Sequence, residues 1–587
     1  MTFYSTVLII SILLLIFLLY KEIFHPAATF MIVVSILIIF GVLKPEEALA
    51  GFSNEQIAII ALLIIISSIL KDFKATYLLF RKFLKENLTY RSFLLRLMTT
   101  VSISSAFINN TPIVATFIPH VFHWGKRKNI PPSKLLIPLS YAAILGGTLT
   151  LIGTSTNLVI NGLTIKAGYK PFHLLDFSKI GFFTVSAGIV YMLTIGYRLL
   201  PERKDAISSF IEKKRRYLIE TFIPSGSPLA GKTVKEANLR NLPGLFLVEI
   251  LRKDEKITPV SPEDKIKEND ILIFAGDTEK IVELIENFNG ISLPEVCSLN
   301  REKLELVEAL IPFNSSLIGK KVKETNFRAK FDAAIVAVHR NGENLHGKIG
   351  EIILQPGDLL ILITGKDFWE MVSESDDIYV INKLSEISTE EEEKKAVLIL
   401  AGFILAILLS AIKIIPIFNS LLILISLLVI FKIAPYIKIK KSFDLNLIII
   451  AALSIAIGKA MLTTGLADQI ATFTTHFSKP FGILGALIIL YLITNILTEF
   501  VTNLAAASIS FPIAISISKE LAVNPKGLIL LVAFAASASF ITPIGYQTNL
   551  MVYGPGNYKF KDFLKVGLPL SILYMITVIT AIKLQYF

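Results

Sequence analysis

The sequence predicts an α-helical polytopic membrane protein in which two membrane halves flank a soluble insert. Of the 587 residues, 53% are hydrophobic and only 18% are charged. The apolar residues gather in runs that approach the length a helix needs to cross a bilayer, roughly 20 residues. One or two such runs could be buried core helices, but this many predict about 10 transmembrane helices. The main runs are Val7–Tyr20, Phe30–Leu43, Ile57–Leu70, Ile180–Leu200, Val397–Ile412, Leu421–Ile430, Leu445–Ile457 and Leu568–Ile582.

Charged segments separate a first membrane half (1–200), an insert and a second membrane half (393–587). Within the insert, Leu229–Arg240 matches Leu317–Arg328 at an offset of 88 residues, and the same offset aligns Asp270 with Asp358. Segments with a period of two residues predict strands, and 278–286 predicts a helix. The insert is therefore predicted to be two small α+β modules, at 201–300 and 301–392.

The basic residues indicate membrane topology rather than a nucleic-acid partner, although the net charge is +11. Lys and Arg cluster beside apolar runs, above all from Lys71 to Arg96 and from Lys126 to Lys134, as expected of cytoplasmic loops. This pattern predicts an integral protein of the cell membrane, surrounded by lipid, with its insert in the cytoplasm. The single cysteine, Cys297, excludes an internal disulfide framework. The first apolar run follows no Lys or Arg, so it predicts a retained helix rather than a signal peptide.

The segment at about 97–124 has basic clusters at both ends, which predicts that both ends lie on the same side of the membrane. A re-entrant hairpin meets this requirement, with its tip near Asn109–Pro112. The second half repeats the plan with a hairpin at about 481–518. Each hairpin is followed by a broken helix, at about 135–163 and about 527–553. The halves are predicted to be inverted repeats with a binding site near the midplane between them.

Polar residues recur at equivalent places in the two broken helices, where Gly153–Leu158 aligns with Gly545–Leu550. Backbone carbonyls at a helix break, together with Asn and Thr oxygens, suit a small hard cation such as sodium. Helix N-termini, with Asn and Thr donors, suit an anion. The sequence contains neither a His–Cys–carboxylate pattern nor a nucleophile–base pair, so it predicts neither a transition-metal site nor an enzyme.

The segments Asn109–Thr111, Gly153–Thr154 and Thr502–Asn503, with Gly545, resemble the paired signatures of the divalent anion:sodium symporter family across both membrane halves. The resemblance implies an elevator motion of the hairpin domain in a homodimer, with sodium as the coupling ion and no organic cofactor. It also implies one set of substrate ligands and two cation sites. The substrate set is Asn110, Thr111, Thr154, Asn503 and Tyr546; the cation sites are Ser105, Asn109, Asn110 and Gly153, and Thr498, Thr502, Asn503 and Gly545.

Two departures from the Ser-Asn-Thr hairpin tips of that family concern the substrate. Asn109 stands where the first Ser is expected, and Leu504 replaces the second Thr. Loss of that hydroxyl weakens the case for a two-headed dicarboxylate held symmetrically. It leaves room for a smaller oxyanion, so the predicted substrate is sulfate or a di- or tricarboxylate.

The two insert modules resemble the TrkA carboxy-terminal domain, a regulatory module of many potassium channels and transporters. The Rossmann domain that usually accompanies it is not predicted, because no Gly-x-Gly-x-x-Gly follows a strand. Two roles are open for the insert: a rigid or dimerising platform, or a sensor that binds a small regulatory ligand and gates transport.

Alternative functions are a sodium/proton or arsenite-type antiporter of the same superfamily and an ion channel gated by the insert. A channel needs a selectivity filter or a ring of pore charges, and the sequence pattern indicates neither. Glu499 also has two readings. As a carboxylate at membrane depth it could bind a proton or sodium, or it could make a structural hydrogen bond within the hairpin.

Overall fold

The computed structural model describes residues 3–72 except 22, 88–203, most of 218–380, and 390–587 except 432, 435–438 and 440–442. The predicted helix 278–286, the basic residues between 73 and 87, and Cys297 lie outside the described residues.

The first membrane half is helical throughout its described length. Long apolar stretches form the helices, and Pro or a capping side chain begins several of them: the hydroxyl of Thr89, for example, accepts a hydrogen bond from the backbone of Ser92. The helices are α1 (Phe3–Tyr20), α2 (Pro26–Ile39), α3 (Pro45–Leu49), α4 (Glu55–Asp72), α5 (Tyr90–Ser105), α6 (Asn110–Lys128), α7 (Leu136–Gly147), α8 (Ser155–Lys166) and α9 (Ser178–Leu199).

The insert contains two antiparallel sheets with short helices. In the first sheet the strand order is β1-β4-β2-β3, and in the second it is β7-β6-β8-β5-β9. The strands are β1 (Leu218–Phe222), β2 (Leu245–Arg252), β3 (Glu255–Ile257), β4 (Ile271–Gly276), β5 (Leu306–Leu310), β6 (Ala333–Arg340), β7 (Glu343–Asn344), β8 (Leu359–Thr364) and β9 (Tyr379–Val380), and the short helices are α10 (Phe327–Phe331) and α11 (Phe368–Ser373).

The two sheets share one structural detail that the 88-residue offset aligns. In the first, Arg252 forms a two-pronged ion pair with buried Asp270, with both N–O distances at 2.9 Å. In the second, Arg340 pairs with buried Asp358 at 2.7 Å through both contacts. Burial raises the pKa of Asp358, although the Arg340 guanidinium opposes this effect.

The second membrane half repeats the order of the first: two apolar helices, a third one, a hairpin, a broken helix and a final long helix. Its additional helix, α15, packs along the second hairpin. The helices are α12 (Glu390–Ala411), α13 (Ile417–Ile430), α14 (Leu445–Thr463), α15 (Leu466–Ser478), α16 (Gly482–Phe500), α17 (Asn503–Glu520), α18 (Pro525–Ala536), α19 (Gln547–Tyr553) and α20 (Phe560–Tyr586).

Six helical segments in the described part of the chain are long and apolar enough to cross a membrane. They confirm the prediction of a mostly helical polytopic membrane protein, while the count of about 10 spans stays a prediction. The six are Phe3–Tyr20, Ser178–Leu199, Lys394–Ala411, Leu445–Thr463, Leu466–Phe500 and Phe560–Tyr586, and shorter apolar helices are Pro26–Ile39, Glu55–Leu70, Ile417–Ile430 and Pro525–Ala536.

The two broken helices, α7–α8 and α18–α19, run in opposite directions past each other. The start of the first meets the end of the second, where the Tyr558 hydroxyl donates to the Ser133 carbonyl (2.8 Å) and accepts from the Ile137 amide (3.0 Å). At the other end, Lys526 at the start of α18 lies 3.1 Å from Asp176, which follows α8. The two breaks therefore come together near the middle.

We expect Tyr558→Phe to destabilise the protein by about 1–3 kcal/mol, because it leaves two buried backbone groups without their partner. Thermal unfolding of the purified protein in detergent measures the effect. Tyr491→Phe is the matched control, since its buried hydroxyl has no hydrogen-bond partner in the described part of the structure. Equal unfolding temperatures for the two variants would contradict the role of Tyr558.

Candidate functional site

The tips of the two hairpins carry the residues from which the site is built. In the first hairpin, α5 ends at Ser105 and α6 begins at Asn110. In the second, α16 ends at Phe500, and Thr502 caps α17 by accepting a hydrogen bond from the Ala505 amide at 3.3 Å. Each tip therefore presents the N-terminus of a long helix, where the helix dipole favours negative charge.

The first oxygen cluster centres on the Ser105 hydroxyl. This hydroxyl contacts the side-chain oxygen of Asn110 across the hairpin tip and lies 2.7 Å from the Ala143 carbonyl in α7. A hydroxyl has one proton, so it cannot donate fully to both oxygens. The cluster is therefore rich in oxygen acceptors and short of donors, as a cation site requires.

The second oxygen cluster centres on the Thr498 hydroxyl. Its oxygen lies 2.9 Å from the side-chain oxygen of Asn503, 2.6 Å from the Ala536 carbonyl and 3.3 Å from the Ser539 hydroxyl. The first three of these residues are each 393 positions beyond their counterparts in the first cluster. The same hydrogen-bond pattern thus recurs in both halves of the chain.

The non-helical backbone at each break is held by an asparagine one turn into the next helix. The Asn157 amide group donates to the Thr150 carbonyl at 2.8 Å. The Asn549 amide group donates to the carbonyls of Ser539 (2.8 Å) and Thr542 (3.1 Å). These amide groups satisfy freed carbonyls, so Asn157 and Asn549 support the loops through their nitrogen atoms.

Glycine at each break allows the loop to approach a hairpin tip. A β-carbon at Gly153 would lie 2.9 Å from the Ser105 carbonyl oxygen and 2.5 Å from that of Gly147. One at Gly545 would lie 2.9 Å from the Thr542 hydroxyl. Since real β-carbons avoid such distances, both positions need glycine for close packing of loop and tip.

Tyr546 joins the two clusters. Its hydroxyl accepts a hydrogen bond from the Asn110 amide group at 2.6 Å and also bonds with Thr154, the residue that precedes α8. Beside it, the Thr111 hydroxyl donates to the Gln547 side-chain oxygen at 3.0 Å. The donors of the first hairpin tip therefore face the loop of the second broken helix.

Glu499 lies at the end of α16, only 4% exposed, and anchors the second break. One carboxylate oxygen accepts from the Ile541 amide and the other from the Thr542 amide, both at 2.9 Å. The equivalent position in the first half, 393 residues earlier, is Ala106. The charge on Glu499 is thus a feature of the second half alone, next to the second oxygen cluster.

The predicted ligands occupy different places around these clusters. Ser105 with Asn110 and Thr498 with Asn503 form the cores, while Gly153 and Gly545 contribute backbone. Asn109 and Thr502 act at helix starts: Asn109 accepts a 3.3 Å hydrogen bond from the Thr111 amide. The sequence analysis did not single out Ser539 or the carbonyls of Ala143 and Ala536, and only Ser539, beside a break, carried a side-chain signal.

The donor set suits a monovalent hard cation. Its oxygens come from hydroxyls, amides and carbonyls, the ligands that sodium shares with other hard cations. Among the residues the structure describes, no group of three or more His, Cys, Asp or Glu side chains is placed to hold a metal.

Comparisons with known proteins agree on one kind of protein. The sequence profile of the citrate transporter family (CitMHS) matches residues 7–509 and 420–586. A putative sulfur deprivation response regulator of Chlamydomonas reinhardtii is 31% identical over 557 residues, with 92% of this chain and 94% of that protein covered. The uncharacterized transporter sll0640 of Synechocystis is 31% identical over 578 residues, with 95% and 93% covered. Sodium/sulfate cotransporter 1 of C. reinhardtii is 23% identical over 764 residues, with 94% and 86% covered.

We expect Glu499→Gln to lower stability by about 1.5–3 kcal/mol, because hydrogen bonds to a charged group are lost and an amide NH2 would face a backbone N–H. Thermal unfolding in detergent is again the measurement. The control is Glu520→Gln, which changes an exposed carboxylate at the end of α17 that bonds the Thr475 hydroxyl. A Glu499→Gln variant as stable as this control would show that the carboxylate does not hold the loop.

Proposed function

Because the chain belongs to the citrate transporter family, we propose that it is a sodium-coupled symporter of a small anion, with sulfate as the first candidate. The observation that carries the proposal is the pair of equivalent oxygen clusters at the hairpin tips, beside helix N-termini. Relatives named as sodium/sulfate cotransporters support both the cation and the anion.

The two clusters supply the places for sodium. At the first, Ser105, Asn110 and the break at Gly153 would hold one ion, with Asn109 fixing the helix start. At the second, Thr498, Asn503 and the break at Gly545 would hold another, with Thr502 in the capping role. Each bound cation satisfies oxygens for which the hydroxyl protons do not suffice.

The anion would lie between the hairpin tips. Asn110, Thr111 and Asn503 sit at the start of α6 and α17, where amide and hydroxyl donors combine with the positive end of a long helix. Thr154 and Tyr546 complete the lining. Sodium bound beside the anion offsets its charge, so neither binds well alone, which couples the two fluxes.

The asymmetry of the tips favours a small anion. Thr111 offers a hydroxyl at the first tip, but at the second Leu504 is buried and apolar. A second carboxylate head would meet no hydroxyl there, whereas a compact oxyanion needs only one set of donors. This asymmetry supports sulfate over a dicarboxylate.

The surrounding assembly is part of the proposal. The opposed broken helices support an inverted repeat, with the hairpins and broken helices moving together as an elevator in a homodimer. The insert would be cytoplasmic, at the end of the membrane domain where Arg203 pairs with Asp562 at 2.9 Å. Its repeated arginine–aspartate pair supports two equivalent modules of the TrkA carboxy-terminal kind.

We predict that purified protein in proteoliposomes accumulates labelled sulfate only when an inward sodium gradient is applied. Asn110→Ala and Asn503→Ala should each reduce this uptake by about tenfold or more, since each removes a donor and a cation ligand whose interactions with charged groups are strong. Asn524→Ala, which removes an exposed helix cap at the start of α18, is the control and should transport normally.

Failure of sulfate, succinate and citrate to accumulate, together with a sodium-driven change in internal pH, would replace the symporter proposal with an antiporter. Near-normal uptake by both asparagine variants would remove the assigned site.

Restoring a hydroxyl at the second tip gives a test of substrate choice. We expect Leu504→Thr to strengthen competition by succinate against sulfate uptake by about tenfold, roughly the 1.4 kcal/mol of one added hydrogen bond. The measurement is the succinate concentration that halves sulfate uptake. Leu504→Val, which also shortens the side chain but adds no hydroxyl, is the control, and an equal shift in both variants would contradict the explanation.

A further inference from the structure

The second insert module touches the helix that carries the site loop. Its contact is the turn before β8, at Gly357, which packs against Leu550 in α19. A β-carbon on Gly357 would lie 2.8 Å from the Leu550 side chain and 3.3 Å from its carbonyl oxygen. On the other side, a β-carbon on Gly554 would lie 2.7 Å from the Gly357 carbonyl oxygen. The two backbones thus approach so closely that neither glycine has room for a side chain.

The first module shows that the turn itself does not require glycine. The equivalent position, 88 residues earlier, is Asn269, and both residues adopt a left-handed conformation, with φ of 66° and 81°. Both amides donate to the matching carbonyl of their own module, Asn269 to Ile223 at 2.8 Å and Gly357 to Ile311 at 2.9 Å. Asn269 is exposed, whereas Gly357 is half-buried. Glycine at 357 therefore serves the contact with α19.

Apolar packing extends the contact beyond the turn. In β8, Leu360 and Leu362 face the core of their own module, while Leu359 and Ile361 face the opposite way. These two side chains are fully buried in the same apolar cluster as the membrane helices. The module is thus packed onto the membrane domain through an apolar sheet face.

Helix α19 links this contact to the site over a short distance. Its N-terminal end carries Tyr546 and Gln547, which occupy the donors of Asn110 and Thr111. Those donors are the ones assigned to the anion. A module that fixes α19 therefore favours the arrangement in which the first hairpin tip is bonded within the protein.

We propose that the turn at Gly357 is a docking surface for α19 and that docking restrains transport. This inference rests on the proposed function, because an elevator must move α19 together with the hairpins. The module is attached at both ends to the membrane halves, so while docked it opposes that movement. Undocking frees α19 and, with it, the donors of the hairpin tip.

The test compares matched positions of the two modules. Gly357→Asn installs the residue of the first module, which keeps the left-handed turn but collides with Leu550. Sodium-driven sulfate uptake in proteoliposomes should rise by about fivefold or more, the lower range of ordinary allosteric coupling. The reverse change in the first module, Asn269→Gly, should leave uptake unchanged. Uptake by Gly357→Asn equal to or below that of the wild type, in protein with a wild-type unfolding temperature, would overturn the proposal.

A second measurement does not depend on how well Gly357→Asn folds. In a Cys297→Ser background, the pair Gly357→Cys and Gly554→Cys should be joined by a short thiol cross-linker in detergent, whether or not any anion is transported. Uptake should fall at least about fivefold on cross-linking and recover when the linker is cleaved. Absence of cross-linking, or full uptake while cross-linked, would overturn the docking proposal. Absence of wild-type uptake for every anion tested would overturn the proposed function instead.

Discussion

One hydroxyl in each half joins the three elements of the candidate site. Ser105 and Thr498 each end the first helix of a hairpin, contact the asparagine that begins the second helix, and reach a carbonyl where the following helix breaks. Hairpin tip and helix break are thereby held as one unit. Because each hydroxyl has a single proton, the unit keeps unsatisfied oxygens, and this shortage explains why a cation would complete it.

The two units meet through Tyr546, but they are not alike. The first contains no charged side chain among its ligands, whereas the second lies beside Glu499, which holds the break through two backbone amides. The first tip carries Thr111, and the second carries Leu504. We interpret these differences as a division of roles, in which one tip offers most donors to the anion and the other is fixed more rigidly.

The sequence predicted the general class because that class follows from composition. Apolar runs of spanning length indicate helices in a membrane whatever their packing, and six such segments are present in the described part of the chain. Repetition carried the next level: equivalent polar positions in two halves pointed to Ser105, Asn110, Thr498 and Asn503, which the structure brings together in pairs. The matched arginine–aspartate pairs of the insert follow the same logic.

Other features depend on three-dimensional contacts that no spacing encodes. The carbonyls of Ala143 and Ala536 are backbone atoms of apolar residues, so their place in the clusters has no sequence signal. Asn157 and Asn549 were recognisable as polar residues at a break, but only the structure shows that their nitrogens satisfy loop carbonyls. The contact of Gly357 with Leu550 joins segments almost two hundred residues apart, and the turn looks ordinary without it.

The central claim is that the two hydroxyl-centred clusters are two sodium sites. The most direct measurement is the number of sodium ions bound per protein at saturation, determined with radioactive sodium on purified wild type, Ser105→Ala and Thr498→Ala. The account predicts that each substitution removes one bound ion while the other remains, and that the double variant loses both. An unchanged number of bound ions in both single variants would contradict it.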